Sequence, residues 1–441
     1  MAKRLLSIAC MVLICCLYSL AADRTTMSFA SLAPEAQEGI KAAMEKEIPI
    51  QNFTLTASDG ADDNQFGTSV AIDGNTVVIG AAYANNQNGA AYVFVKPANG
   101  WDNMTQTAEL TASNPQEGDC FGCSVAISGG TIVVGALHEM IGGISPGGAY
   151  VFVEPIGGWK NMTETAQLTA SDGVDGSLFG RSVAVSVDTI LVGALNNDLL
   201  GSGYIFVKPK GGWINSTQTA ELTASDGIDG DNFGLTVSIS GDTAVIGSPD
   251  NCGCGTRVGQ GYVFVEPSNG WADMTETARL TASDGVIGDE FAWSVSIDTN
   301  VVAIGAKDHN QKGAVYVFVE PLSGWTDMDQ TAELTSGTIG GCLGDSVSIS
   351  GGILVGGAPC DHGFAGAAFV FRKPSGGWRN SSNFAAKLAI PFTYNYDMFG
   401  SSVAVMGTTG IIGAYNAPTV PPCHGGECEP GPGEAFIFTA Q

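Results

Sequence analysis

The sequence predicts an all-β fold: a seven-bladed β-propeller of four-stranded antiparallel blades, closed by the N-terminal strand. Three observations carry this. One pattern recurs seven times along the 441 residues at a spacing of 52 to 58, the period of propeller blades rather than of helical or leucine-rich solenoids. Glycine is abundant at 61 residues while only 14% of residues are charged, a balance suited to short strands and tight turns. The last copy lacks its fourth strand, and a matching segment precedes the first copy.

Each copy opens with Phe-Gly or a close variant: Phe66-Gly67, Phe121-Gly122, Phe179-Gly180, Phe233-Gly234, Phe291-Ala292, Leu343-Gly344 and Phe399-Gly400. In the first copy strand A reads Thr68 to Ile72, and a tight turn at Asp73-Gly74-Asn75 leads into strand B, Thr76 to Gly80. After a variable loop, strand C runs from Ala90 to Val95; its nearly continuous apolar run fits a sheet buried on both faces. Pro97 stops it, and after the turn at Asn99-Gly100-Trp101 strand D is expected from Thr105 to Ser113. The seventh copy supplies strands A to C and ends at Ala435 to Phe438. Residues Phe53 to Ser58 match strand D, as in Ala166 to Ser171, so they are expected to complete the last blade and leave no unpaired edge.

Lys3 and Arg4, the apolar run from Leu5 to Leu20 and the small-residue pattern ending at Ala21 read as a secretory signal over residues 1–21, cleaved after Ala21. The run is shorter than the ~20 apolar residues of a spanning helix, and no second such run follows, so no membrane span is expected. Residues 22–51 read as a linker with a short surface helix, and 52–441 as the propeller. The formal net charge of −26 becomes −28 once the two signal-segment cations leave, which argues against nucleic acid as a partner and for a soluble monomer. Eleven cysteines become eight, an even count that favours disulfides in an exported chain. Cys342 and Cys360 flank the Gly351-Gly352 turn almost symmetrically, so a hairpin should bring them together; Cys423 with Cys428 would clip a loop. Cys120 with Cys123 and Cys252 with Cys254 would close very short rings, and their connectivity stays open. Sequons begin at Asn52, Asn103, Asn161, Asn215 and Asn380, glycan acceptors in a eukaryotic source.

The blade-opening Phe-Gly, together with Val-Ile-Gly-Ala-Ala at 78–82, Val-Val-Gly-Ala at 133–136, Ile-Gly-Ser-Pro at 246–249 and Gly-Gly-Ala-Pro at 356–359, resembles the FG-GAP repeat. That repeat builds the propeller of integrin α chains and of secreted microbial proteins, and the resemblance covers about residues 52 to 441. It implies extracellular binding or adhesion. Integrin-type blades hold calcium in an Asp-x-Asp-x-Asp-Gly loop between strands A and B. Here those turns read Ile72-Asp-Gly-Asn75, Ser128-Gly-Gly-Thr131, Val187-Asp188-Thr189 and Ser240-Gly-Asp-Thr243, too short and too poor in carboxylates, so no metal and no cofactor is carried over.

The remaining patterns each allow two readings. Acidic residues recur between strand D and the next strand A, as at Asp59, Asp62 and Asp63 or at Asp284, Asp289 and Glu290; turn chemistry accounts for them better than cation binding. The histidines His138, His309, His362 and His424 all follow strand B and read as surface-loop residues, since equivalent points on neighbouring blades lie ~10 Å apart. Trp101, Trp159, Trp213, Trp271, Trp325 and Trp378 share one repeat position, which suits a plug between blades better than a sugar-stacking surface. No nucleophile elbow, phosphate loop or dinucleotide fingerprint is present, so a non-enzymatic binding or adhesion protein is expected, ahead of a matrix or cell-wall component and of a polysaccharide-active enzyme. The loops after strand B differ from blade to blade, and an extracellular protein or glycan is expected to dock there, with Tyr83, His309, His362 and Phe364 among the contacts.

Overall fold

The computed structural model describes residues 50–195, 200–249, 258–390, 396–418 and 431–440. The signal segment, residues 22–49 of the linker, Cys252, Cys254, Cys423, Cys428 and His424 lie outside the described residues. Seven small, mostly antiparallel sheets form a ring, and in the first blade strands A to D are Phe66–Asp73, Thr76–Ala81, Ala90–Val95 and Ala108–Thr111. The last blade takes its outer strand from the other end of the chain. Ile50–Thr56 pairs antiparallel with Glu434–Ala440 in a register running from Ile50↔Ala440 to Leu55↔Ala435.

Strand D differs from the expected continuous segment. Met104–Thr105 leaves its own blade and pairs in parallel with Leu55 and Thr56 of the preceding outer strand, while Ala108–Thr111 stays beside strand C. Two side chains between these pieces make the step: Gln106 Oε1 accepts the Ser58 N–H at 2.9 Å, and Thr107 Oγ1 accepts the Val95 N–H at 3.1 Å. The same crossing recurs at Met162–Thr163, Ser216–Thr217, Met274–Thr275 and Met328–Asp329, stapling the outer rim.

Strands buried on both faces need apolar partners on both sides. Val78, Ala91, Val93, Ala108 and Leu110 of the first blade accordingly share a buried cluster with Phe121, Ile132, Val134, Tyr150 and Phe152 of the second. Among the described residues one such cluster sits at every blade boundary. The Phe of each Phe-Gly anchors it: Phe66 lies 5.5 Å from the Tyr92 ring and 6.0 Å from Phe94. The glycine serves the inner edge. Gly122 has φ +93°, and its carbonyl faces Gly80 of the first blade so closely that a Cβ on Gly80 would collide with it. The same carbonyl accepts the Ser69 hydroxyl at 2.8 Å, and Ser402 closes the circle by donating to the Gly67 carbonyl at 2.7 Å.

Removing residues 50–56 uncovers the strand Glu434–Ala440 and takes Leu55 and Phe53 out of the cluster at the boundary of the seventh and first blades. The shortened chain is expected to aggregate or to lose its single cooperative thermal transition by calorimetry. An unchanged transition would refute closure by this strand.

Candidate binding face and central channel

The loop after strand B of one blade leans on the loop entering strand A of the next. Gly118 N–H donates to Gln87 O at 2.9 Å, Gly176 N–H to Ser145 O at 2.9 Å, and Met398 N–H to Phe364 O at 3.0 Å. Both loop sets therefore share one face. On it Tyr83 is 40% exposed and lines a polar groove of about 660 Å³ with Asp59, Asp62, Asp63 and Asn86. His362 is exposed, its Nδ1 2.7 Å from Asp361 Oδ1. Phe364, in the same turn, is 41% exposed and stacks on Tyr396, which is 64% exposed, with ring centroids 5.5 Å apart and planes at 8°. Tyr396 was not singled out from the sequence, because only the fold brings it over Phe364.

His309 departs from expectation. It is not a surface-loop residue: it is 4% exposed, with Nδ1 2.8 Å from Asp289 Oδ2 and its ring edge-on to Tyr316 at 5.7 Å. Its turn explains this. Ala84, His309 and Asp361 occupy one inward position whose carbonyl accepts the N–H of a glycine, Gly89, Gly313 or Gly366. His362 falls one residue later and points outward. The four expected contacts thus do not form one pocket: Tyr83 belongs to the first blade, His309 to the fifth, and His362 with Phe364 to the sixth.

The seven inner strands enclose a channel of about 460 Å³. The residue after each Phe-Gly lines it, and that residue differs in every blade: Thr68, Cys123, Arg181, Leu235, Trp293, Asp345 and Ser401. Burial pushes the Asp345 carboxyl up to about 6, against the pull of Lys307, and burial lowers Arg181, against the pull of Asp345. Lys307 sits 3.3 Å over the Trp293 ring and 2.9 Å from Glu290 Oε2, a cation held jointly by an aromatic face and a carboxylate. This ring was legible in the sequence as a position that differs in all seven copies beside a nearly constant Phe-Gly pair. Cys120 and Cys123 form a disulfide at the same edge, and Cys342 and Cys360 form another with Cα atoms 5.5 Å apart.

Other repeated residues turn out to be structural. The six repeat tryptophans are only 5 to 7% exposed, so their ring faces are covered and offer no sugar platform. Asp59, Asp172, Asp226 and Asp284 each accept a strand C tyrosine hydroxyl, while Asp119, Asp231 and Asp289 accept backbone N–H groups within their own turns. The exposed sequon residues Asn103, Asn161, Asn215 and Asn380 each accept, through Oδ1, an outer-strand N–H of the preceding blade at 2.9 Å. Asp273 and Asp327 make the same bond in blades without a sequon. Asn52 is exposed on the closing strand.

These features define a propeller whose structural residues repeat and whose face and channel residues do not. The FG-GAP repeat model matches residues 50–94, 104–152, 162–206, 216–264 and 274–318, more than half of the chain, and the protein belongs to that family. The sixth blade and the three C-terminal strands of the seventh lie outside the matched residues, the sixth with Leu343 in place of Phe. No curated protein matches the chain. Among the described residues no helix is long and apolar enough to cross a membrane.

Two expectations follow. In protein made without glycans, Asn103→Asp should leave urea stability unchanged because the acceptor remains, whereas Asn103→Ala should cost about 1 kcal/mol; equal losses would argue against the bond. Glu139 is fully buried beside Asp119, and burial pushes its carboxyl from 4.5 up to about 7. A raised acid favours the folded state most below its unfolded value, and that contribution is lost as pH rises from about 4.5 through about 7. It amounts to roughly 3 kcal/mol. Glu139→Gln should flatten this part of the melting-temperature profile between pH 4.5 and 8; superimposable profiles would show that Glu139 does not titrate in this range.

Proposed function

We propose that this chain is a secreted, non-catalytic adhesion or binding protein that takes an extracellular protein or glycan on the face carrying the loops after strand B. The Phe364–Tyr396 stack is the observation that carries this reading: two aromatic rings are stacked on one another yet left 41% and 64% exposed. Exposed aromatics of this kind dominate binding energy at protein and carbohydrate interfaces because they present large area at little conformational cost. The polar groove at Tyr83 and the variable channel ring add the non-repeating groups that specificity requires. The opposite face carries the sequon residues, and glycans there would leave the loop face free. Two disulfides agree with an oxidising compartment.

The test is a glycan array and a panel of extracellular proteins probed with the full chain. For whichever probe binds, Phe364→Ala with Tyr396→Ala should weaken affinity by about 2 kcal/mol, roughly thirtyfold, without lowering the melting temperature. Unchanged affinity in this variant, with loss in Arg181→Ala or Asp345→Asn, would move the site into the channel. Turnover of a polysaccharide on the array would overturn the non-catalytic reading.

A further inference from the structure

The fifth blade holds a cluster that the binding face does not use. His309 Nε2 lies 3.7 Å from Asp284 Oδ2 and 3.7 Å from Glu333 Oε1, and the three ligand atoms all lie within 4.8 Å of one another. The imidazole is fixed from behind: its Nδ1 faces buried Asp289, which is itself anchored by the Val286 N–H at 2.9 Å, so Nε2 is aimed at the two carboxylates. Tyr316 steadies Asp284 by donating its hydroxyl at 3.1 Å. We propose that Asp284, His309 and Glu333 bind one divalent transition-metal ion of the zinc class, with Asp289 as the outer carboxylate that orients the histidine.

The chemistry of the donors favours such an ion. One imidazole nitrogen with two carboxylate oxygens is a set that zinc-class ions accept at about 2.0–2.2 Å, while calcium prefers an all-oxygen shell. Ligands around a tetrahedral ion at that distance stand roughly 3.3 Å apart, close to the 3.7 Å separations here. A carboxylate on the distal ring nitrogen is the usual support of a metal-bound histidine. Asn310 places its side-chain amide 2.7 Å from Nε2, where it covers the lone pair in the absence of an ion. An ion seated on that lone pair displaces the amide.

Other blades supply an internal comparison. The second residue of strand D is Arg279 in the fourth blade and Lys387 in the sixth, and there a side-chain cation meets the local carboxylate: Arg279 Nη1 lies 3.1 Å from Asp226, and Lys387 Nζ lies 2.5 Å from Asp361. In the fifth blade that position is Glu333, so three carboxylates face a single imidazole. A proton on His309 would still leave the cluster with a net charge of about −2, whereas a dication on the neutral ring leaves about −1.

The experiment titrates ZnCl2 into the full chain after chelator treatment, by calorimetry and by thermal shift. One equivalent should bind at this site and raise the melting temperature. Glu333→Arg, which installs the fourth blade's residue at a partly exposed position, should abolish that equivalent with the protein still folded, as should His309→Ala. Asp289→Asn should weaken it roughly 10- to 100-fold, and His138→Ala should leave it intact. Absence of zinc binding, zinc binding unchanged in Glu333→Arg, or calcium bound in preference to zinc would each overturn the proposal.

Discussion

Neighbouring blades meet backbone to backbone at the inner edge of the ring, and that contact dictates most of the repeated sequence. The carbonyl after each Phe is brought against the strand B glycine of the blade before it, which leaves no room for a side chain at Gly80, Gly135, Gly305, Gly357 or Gly413. It also accepts a serine hydroxyl in five of the seven boundaries. Reaching this geometry forces the residue before each Phe into the left-handed region, with φ between 52° and 61° at Gln65, Cys120, Leu178, Asn232, Glu290, Cys342 and Met398. Each such residue costs of order 1 kcal/mol. Burying one phenylalanine side chain returns roughly 1.5–3 kcal/mol, which decides the balance.

Repetition also explains why several familiar signatures carry structure here. An Asn-x-Thr triplet recurs because Oδ1 must cap a strand of the preceding blade, and Asp serves equally at Asp273 and Asp327. Asp-Gly segments recur because tyrosine hydroxyls and turn amides need acceptors. The tryptophans recur because they plug that end of six of the seven blade boundaries, the boundary between the sixth and seventh blades doing without one.

The period, the strand order and closure by the N-terminal strand were legible in the sequence, because a seven-fold pattern averages over local ambiguity. The split of strand D was not. Its cause is a pair of side-chain bonds, from Gln106 to the neighbouring blade and from Thr107 to strand C, and single-strand periodicity carries no trace of them. Tyr83, His362 and Phe364 lie exposed on the expected face, but His309 does not, since one residue of offset within the same turn separates the inward from the outward position. The channel ring was visible as seven different residues after Phe-Gly, yet variability alone did not reveal that all seven converge.

Where packing imposes a residue on every blade, the exceptions mark positions that packing leaves free. Arg181 and Asp345 stand three blades apart in a ring of seven, close to diametrically opposed across the channel, and both are half-buried. Asp345 favours the charged form of Arg181, and Lys307 favours that of Asp345, yet each pull offsets only part of the desolvation. Replacing buried charges with apolar residues is often neutral or stabilising, so stability is a poor reason for these two charges. The fifth-blade cluster follows the same logic, because an apolar residue such as Ala84 fills its inward position in the first blade without any charge. Charged groups placed where the fold tolerates alanine or threonine point to interactions with something other than the fold itself.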